Sequence, residues 1–198
     1  AAAGSNAGNN RKIITNSGGT GVAFRWASLP AAYKTQMTTA STNTVSTTNA
    51  EIVLNYVRGD QSKEGANGLR ERGSNLLGPV VNGTPWIQGP PSATLPGVSG
   101  EGYATFRAAH KDRSRLLWVA ANDGMLHAFN PSTGAEVFSY IPGALANRLA
   151  EIPLQRGTSA KTKLDGADFV TAAESRPTGT VWPYVDGSPF SADVKVGT

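Results

Sequence analysis

The sequence predicts a mainly β fold: part of a modified β-propeller with short helical insertions, in a fragment of a larger chain. Three observations favour it: a meander of three strands with tight turns, a short element that occurs twice, and a composition rich in turn-forming residues. The 198 residues include 23 glycines and 12 prolines, and charged residues make up only 16% of the chain. This composition favours turns and short strands over long helices.

The meander is predicted near the middle of the chain, where two tight-turn signals separate three short apolar runs. The predicted strands are Leu116–Ala121, Met125–Asn130 and Ala135–Ile141. Both faces of the middle strand are mostly apolar, whereas an antiparallel sheet with one wet face alternates more cleanly. We therefore expect both faces of the sheet to be covered, as in a sandwich interior or in a propeller blade between two other blades.

The two connections of the meander have the chemistry of tight turns. In the first, Asp-Gly supplies the positive φ that a hairpin requires. In the second, proline fixes its own φ and glycine is free to adopt the left-handed conformation. The residues predicted to be structural turn residues are Asn122, Asp123, Gly124, Pro131 and Gly134.

A short element occurs twice, as "VVNGTPWIQG" from Val80 and as "YVDGSPFSADVKVG" from Tyr184. Proline is tolerated near the start of a strand, so Pro85–Gln88 is predicted to be a strand that opens the unit. With the meander it makes four strands, which is one propeller blade. Because repeat folds need at least about three units, we expect a larger propeller. The alternative is a small complete domain in which other segments cover the meander.

Three regions are predicted along the chain. Residues 1–12 form a flexible linker, residues 13–79 an irregular and helical lead-in, and residues 80–198 the first blade and the start of the next. Within Ile13–Trp26 we expect irregular structure or short strands. The predicted helices are Pro30–Met37 with Ser28 as its cap, a helix from the cap Asn49 through Val57 with Gly59 at its end, and Ala144–Ile152.

Composition excludes several classes of protein. The chain has no cysteine, so a disulfide scaffold and a cysteine zinc site are excluded. The net charge is +4, and the basic residues are scattered rather than grouped on a helix face, so nucleic acid is not an expected partner. No apolar run has the length of a transmembrane segment. The absence of cysteine permits export.

Five segments occur in the order seen in a known family: "TGVAFRW", "NYVRGDQSKEG", "SNLLGPVVNGTP", "WVAANDGMLHAFNPSTGAEVFSYIP" and "VDGSP". From about Arg11 to Thr198 the chain resembles the C-terminal domain of the PilC/PilY proteins, which are bacterial type IV pilus tip adhesins and assembly factors. The resemblance implies a modified β-propeller, and export to the bacterial cell surface, the pilus tip or the outer membrane.

The resemblance also implies partners and a function. Members of the family are associated with minor pilins at the pilus tip, promote pilus extension, oppose retraction and support adhesion to host or surface receptors. A non-enzymatic function through protein contacts is therefore expected, with the rest of its own propeller chain as a further partner. Two alternatives stay open: a propeller enzyme similar to the quinone-cofactor dehydrogenases, and a general extracellular interaction module.

A calcium-binding loop rich in aspartate regulates some members, but no Asp-x-Asp-x-Asp pattern is present here. Asp165 and Asp168 could offer two oxygens to a calcium ion, which needs six or more, so a solvated loop is the favoured interpretation. No metal ligand, no catalytic residue and no cofactor-binding residue is predicted within this chain, and calcium is expected only elsewhere in the family.

Arg58-Gly59-Asp60 is the tripeptide that integrins recognise, and it is the one adhesion-motif candidate. The alternative is structural: Gly59 ends a helix, Asp60 begins a loop, and Arg58 pairs with Glu64. Short motifs arise easily by chance, which favours the structural interpretation.

His127 is the main candidate for acid–base or metal chemistry, but such chemistry needs partners. His110 lies in a different predicted loop, so we expect the ring of His127 to be packed and hydrogen-bonded within the blade. Asp123 and Asp186 are interpreted as turn residues. Ser188 lies outside any Gly-x-Ser-x-Gly pattern, and Asn82 in its Asn-Gly-Thr sequence is discounted as a glycosylation site. Packing roles are expected for Trp26, Trp86, Trp118 and Trp182.

Overall fold

The computed structural model describes residues 10–39, 46–65, 68–91, 101–154, 163–164, 167–168 and 183–193. Six strands form one sheet in the order β2-β1-β6-β5-β4-β3, which confirms the mainly β prediction. In chain order they are β1 (Ile13–Ser17), β2 (Thr20–Ala23), β3 (Trp86–Gln88), β4 (Leu116–Ala121), β5 (Met125–Phe129) and β6 (Glu136–Ile141). A separate antiparallel pair consists of β7 (Lys163–Leu164) and β8 (Ala167–Asp168).

Helices account for much of the remaining described structure. The α-helices are α1 (Ala31–Thr38), α2 (Thr47–Arg58) and α3 (Glu101–Ala109), and 3₁₀ helices span Trp26–Ser28 and Gly143–Glu151. Within the part of the chain that the structure describes, no helix is both long and apolar enough to cross a membrane.

The predicted meander is present as β4, β5 and β6, which pair antiparallel in that order. The second strand ends at Phe129 rather than Asn130, and the third begins at Glu136 rather than Ala135. The reason is the second turn, in which the Asn130 side chain accepts hydrogen bonds from the backbone N–H groups of Ser132 and Thr133. Asn130 is thus the first residue of the turn and not the last residue of the strand.

The sheet contains two more strands than the predicted four-stranded blade. β1 lies parallel beside β6, and β2 turns back onto β1 through Gly18 and Gly19, whose φ angles are +60° and +82°. The Gly-Gly pair is a local hairpin signal. The parallel pairing of β1 with β6 has no local signal, because more than a hundred residues separate the two strands.

The helix boundaries differ from the prediction at two caps. Ser28 lies in a 3₁₀ helix and does not cap α1, which begins after Pro30. The cap of α2 is Ser46, whose hydroxyl accepts a hydrogen bond from the backbone N–H of Asn49. Asn49 is therefore the third residue inside the helix and not its cap. Gly59 ends α2 at φ +110°, as predicted.

Three further segments differ from their predictions. The helix α3 was not predicted. The predicted helix Ala144–Ile152 is a 3₁₀ helix over Gly143–Glu151, and Leu145, Leu149 and Ile152 are buried. The strand predicted over Pro85–Gln88 is present as β3, which begins one residue later at Trp86.

One face of the sheet is covered by α1, α2 and the second 3₁₀ helix. Side chains at alternate positions of β1, β5 and β6 enter this core, where Ile13, Met125 and Ile141 are buried. The buried Thr15 hydroxyl lies 2.8 Å from the Ile141 carbonyl oxygen and 3.1 Å from the Tyr33 hydroxyl. The helical layer thus covers one face of the blade.

The opposite face, called the apolar face below, is only partly covered by the described residues. Strand pairing places six large side chains on it: Ile14, Trp86, Trp118, Leu126, Phe138 and Tyr140. Ile14 is 42% exposed and Trp86 36% exposed, and the other four are half-buried. The expected covering of both faces therefore holds, among the described residues, for one face only.

We expect Gly124→Val to lower the free energy of unfolding by about 2–4 kcal/mol. Gly124 has φ +90°, and a Cβ there would lie 3.1 Å from Ile152 Cδ1, so valine adds backbone strain and crowding. Gly21→Val is the matched control, because no atom lies within 4 Å of its Cβ position in β2. Thermal unfolding of the two variants measures the difference, and equal midpoints would contradict the hairpin geometry.

Candidate functional site

His127 lies between two carboxylates inside the blade. Its Nδ1 atom is 2.8 Å from Glu136 Oε1, and its Nε2 atom is 3.1 Å from both carboxylate oxygens of Asp123. Glu136 also accepts two hydrogen bonds of 2.7 Å from the Arg11 guanidinium, in a bidentate pair. Arg11, Glu136, His127 and Asp123 form a line of alternating charge, called the charge network below.

The hairpin of β5 and β6 positions the centre of the charge network. A register shift between Ala128 and Phe129 sets Glu136 opposite Phe129, on the same face as His127. Asp123 lies in the preceding turn, where its carboxylate also accepts from the backbone N–H groups of Gly78 (3.0 Å) and Met125 (3.2 Å). The turn residue predicted from the sequence is therefore also a member of the charge network.

Both ring nitrogens of His127 face carboxylate oxygens, so both donate and the ring is an imidazolium. Burial by itself lowers the pKa of His127, but the hydrogen bonds to Asp123 and Glu136 outweigh it and raise the pKa to about 9. Burial by itself raises the pKa of Glu136, but the hydrogen bonds from Arg11 and His127 lower it to about 2. His127 and Glu136 are thus both ionised at neutral pH.

We expect the stability to depend on pH through these two groups. The contribution of His127 is complete below its ordinary pKa of 6.5 and is lost as the pH rises through about 9. The contribution of Glu136 is complete above its ordinary pKa of 4.5 and is lost as the pH falls through about 2. The thermal midpoint, plotted against pH, should reach a plateau and decrease on both its acid side and its alkaline side. The alkaline decrease should be weaker in His127→Gln, and an equal decrease in both proteins would refute its assignment to His127.

The charge network is suited to holding segments together rather than to acid–base chemistry. The His127 side chain is only 2% exposed, and both of its nitrogens are occupied by carboxylates of the fold. A general base needs a free lone pair that a substrate can reach. Among the described residues, no group of three or more His, Cys, Asp or Glu side chains is arranged to hold a metal ion.

The Arg58-Gly59-Asp60 tripeptide lies at the end of α2, and its arginine points into the protein. Arg58 is 3% exposed, and its guanidinium donates to the carbonyl oxygens of Phe24 (2.7 Å) and Arg11 (3.1 Å). Burial, with Arg25 and Arg11 nearby, lowers the pKa of Arg58 to about 10. An adhesion motif needs this guanidinium at the surface, whereas here it joins α2 to the first strands.

The expected ion pair of Arg58 with Glu64 is wrong. Glu64 instead pairs with Arg72, with 2.6 Å between Glu64 Oε1 and Arg72 Nε. Asp60 is half-exposed, and its carboxylate accepts a hydrogen bond from the backbone N–H of Ser62 at 2.8 Å.

Of the remaining turn candidates, two lie at the surface and one is buried. Pro131 and Gly134 are exposed in the second turn, and Gly134 has φ +69°. Asn122 is buried, and its side-chain oxygen accepts from the backbone N–H of Tyr184 at 3.2 Å. This contact links the first turn to the second copy of the repeated element.

Three of the four tryptophans have packing contacts in the structure. Trp118 packs edge-on against Phe138 at 5.4 Å, Trp86 contacts Phe190 at 5.1 Å, and Lys34 lies over the ring of Trp26. Trp182 and Asp165 lie outside the described residues, and Asp168 is described only as part of β8. His110 packs on Phe106 at the end of α3 and takes no part in the charge network.

Arg11 and Glu136 are the members of the charge network that sequence reasoning missed. Arg11 falls within the region predicted to be a linker, and Glu136 falls within a predicted strand without a role of its own. Alternation from buried Ile141 does not predict that Glu136 faces His127, because the register shift in this hairpin brings it to that face. The bidentate partner could not be inferred, because Arg11 is 125 residues away from Glu136.

Comparison with known proteins gives one family match and several curated relatives. The family model described as the PilY1 beta-propeller domain matches residues 77–195. The type IV pilus biogenesis factor PilY1 of Pseudomonas aeruginosa strain PAK is 33% identical over 199 residues, covering 97% of this chain and 15% of that protein. A PilY1 homolog of Xylella fastidiosa is 42% identical over 106 residues, covering 50% of this chain and 8% of that protein.

Almost the whole chain aligns with these Pseudomonas relatives, but it spans only about 15% of their length. No solved structure matches the chain. The relatives are named as pilus biogenesis factors and not as enzymes, which agrees with the non-enzymatic function expected from the sequence. By the family match and by identity over nearly its whole length, the chain belongs to the PilY1 β-propeller family.

Proposed function

We propose that this chain is part of a non-enzymatic type IV pilus biogenesis factor, located at the cell surface in association with the pilus. The observation that carries the proposal is the match of 97% of the chain to a protein named as such a factor. We further propose that the factor lies at the pilus tip and contacts minor pilins there. Contact with the tip favours extension over retraction.

The geometry supports action through protein contacts rather than through chemistry. His127, the candidate for acid–base chemistry, is buried and enclosed by the carboxylates of Asp123 and Glu136. The sheet instead presents the apolar face, on which Ile14 and Trp86 are more than a third exposed. Apolar surface of this kind is typical of protein–protein contacts.

The proposal is tested by deleting the gene for the full-length protein and counting surface pili by electron microscopy. We expect few pili in the deletion strain, and recovery when the retraction motor is also removed. Mass spectrometry of sheared pili should detect the peptide "LLWVAANDGMLHAFNPSTGAEVFSYIPGALANR" at sub-stoichiometric levels together with minor pilins. Unchanged pilus number and attachment in the deletion strain would refute the assembly function.

Adhesion at the pilus tip is the second part of the proposal, and we do not assign it to Arg58-Gly59-Asp60. In full-length protein, Asp60→Asn keeps an acceptor for the Ser62 N–H group and removes the charge that receptor recognition of the tripeptide needs. We expect bacterial attachment to be unchanged by this variant at equal pilus number. A loss of attachment would assign adhesion to the tripeptide instead.

A further inference from the structure

The two copies of the repeated element lie side by side in the fold. The backbone N–H of Asn82 donates to Asp186 Oδ1 at 3.1 Å, and that of Thr84 donates to Ser188 Oγ at 3.0 Å. In both contacts the partners are 104 residues apart, which is the offset that aligns the two copies in the sequence. The copies therefore run in the same direction and in register.

The aromatic residue of each copy extends the same register. The rings of Trp86 and Phe190, which are equivalent in the alignment, lie 5.1 Å apart. A Cβ atom at Gly83 would lie 3.2 Å from the carbonyl oxygen of Gly187, so the close approach favours glycine at this position of the element. The shared pattern of Asn or Asp, Gly, Thr or Ser, Pro and an aromatic residue thus corresponds to a lateral contact.

The contact is directional. The first copy supplies backbone N–H groups, and the second supplies side-chain acceptors at the equivalent positions. Each copy contains both kinds of group, so the contact is head-to-tail and does not close with two copies. The second copy carries backbone N–H groups equivalent to those with which the first copy makes this contact. Its aromatic residue, Phe190, is 75% exposed.

We propose that the segment Asp186–Phe190 receives a further element of this pattern from the same polypeptide in its full-length form. The incoming asparagine or aspartate accepts from the backbone N–H of Asp186, and the incoming hydroxyl accepts from that of Ser188. Its aromatic residue covers Phe190. The element is thereby a connector between consecutive blades, and the relatives, of which this chain covers 15%, have the length for further units.

The test uses the full-length protein with the photo-crosslinking residue p-benzoylphenylalanine at position 190, which keeps the phenylalanine ring and adds a photoreactive benzoyl group to it. We expect a crosslink within the same polypeptide to a peptide that contains Asn or Asp, then Gly, then Ser or Thr, then Pro. Peptide mass spectrometry identifies the partner. A crosslink to another part of the chain, to another protein, or no crosslink at all overturns the proposal.

A second measurement does not depend on crosslinking chemistry. In the full-length protein, Phe190→Cys should react with a maleimide about tenfold or more slowly than Ser132→Cys, because docking covers the thiol. Ser132 is the matched control, since it is exposed in the turn between β5 and β6. Equal labelling rates at the two positions would show that nothing covers Phe190.

Discussion

Glu136→Gln should lower the free energy of unfolding by about 3 kcal/mol, because it leaves two cations without their shared anion. Glu136 accepts from both Arg11 and His127, and glutamine has one oxygen and no charge to offer them. The Arg11 and Glu136 side chains are 19% and 18% exposed, so solvent screens part of the loss. We therefore expect a value at the lower end of what breaking a buried ion pair costs.

Asp112→Asn is the matched control for this prediction. Asp112 also pairs with a basic residue, Lys111, but the two side chains are 83% and 70% exposed. Exposed ion pairs contribute little to stability, so this variant should unfold like the wild type. Urea denaturation at neutral pH compares the three proteins. The charge network has no stabilising role if Glu136→Gln is as stable as Asp112→Asn.

The Glu136 variant also has a specific effect on its neighbour. One of the two acceptors that raise the pKa of His127 to about 9 loses its charge, so the pKa of His127 should fall. Titration of the histidine ring signals by nuclear magnetic resonance measures this shift. A purely local packing defect would leave the pKa of His127 where it is.

The sequence predicts the elements whose signals are local. The strands of the meander, the Asp-Gly turn and the left-handed Gly59 each depend on a few adjacent residues, and all three are present, with the second and third strands each one residue shorter at the second turn. The packed and hydrogen-bonded state of His127 also follows from local pattern, because alternation in β5 turns it to the same face as buried Met125.

Contacts between distant segments could not be predicted in this way. The parallel pairing of β1 with β6 and the ion pair of Arg11 with Glu136 both join the start of the described chain to the third meander strand. Arg58 shows the same limitation. Its tripeptide resembles a surface motif, but the carbonyl groups that bind its guanidinium belong to Arg11 and Phe24, which flank the first two strands and are distant from it in sequence.

The alignment of the two repeated elements did contain information about their contact. The sequence shows the pattern twice but does not show that the copies touch, because similarity alone is compatible with two separate strand starts. In the structure, two hydrogen bonds between the copies join residues that are 104 apart, which is the offset of the alignment. Equivalent positions of the two copies are therefore paired with each other. Asp186, interpreted as a turn residue, is the acceptor in the first of them.

Gly78→Ala should lower the free energy of unfolding by about 3 kcal/mol or more, although the change adds a single methyl group. A Cβ at Gly78 would lie 2.3 Å from the backbone nitrogen of Asp123 and 2.8 Å from the carbonyl carbon of Asn122. Both are backbone atoms of the first turn, so no side chain can rotate away to make room. The segment around Gly78 and the turn must separate.

That separation breaks contacts that hold Asp123 in place. The Gly78 N–H donates to Asp123 Oδ2 at 3.0 Å, and the Asn122 N–H donates to the Pro79 carbonyl oxygen at 3.0 Å. If the turn moves, the Asp123 carboxylate moves away from His127, and the pKa of His127 should fall towards 6.5 as the protein becomes less stable. Gly102→Ala is the control, because its Cβ position in α3 is open and alanine favours a helix. Thermal unfolding and titration of His127 are measured for both variants. Equal thermal midpoints and equal pKa values of His127 in the two proteins would refute close packing at Gly78.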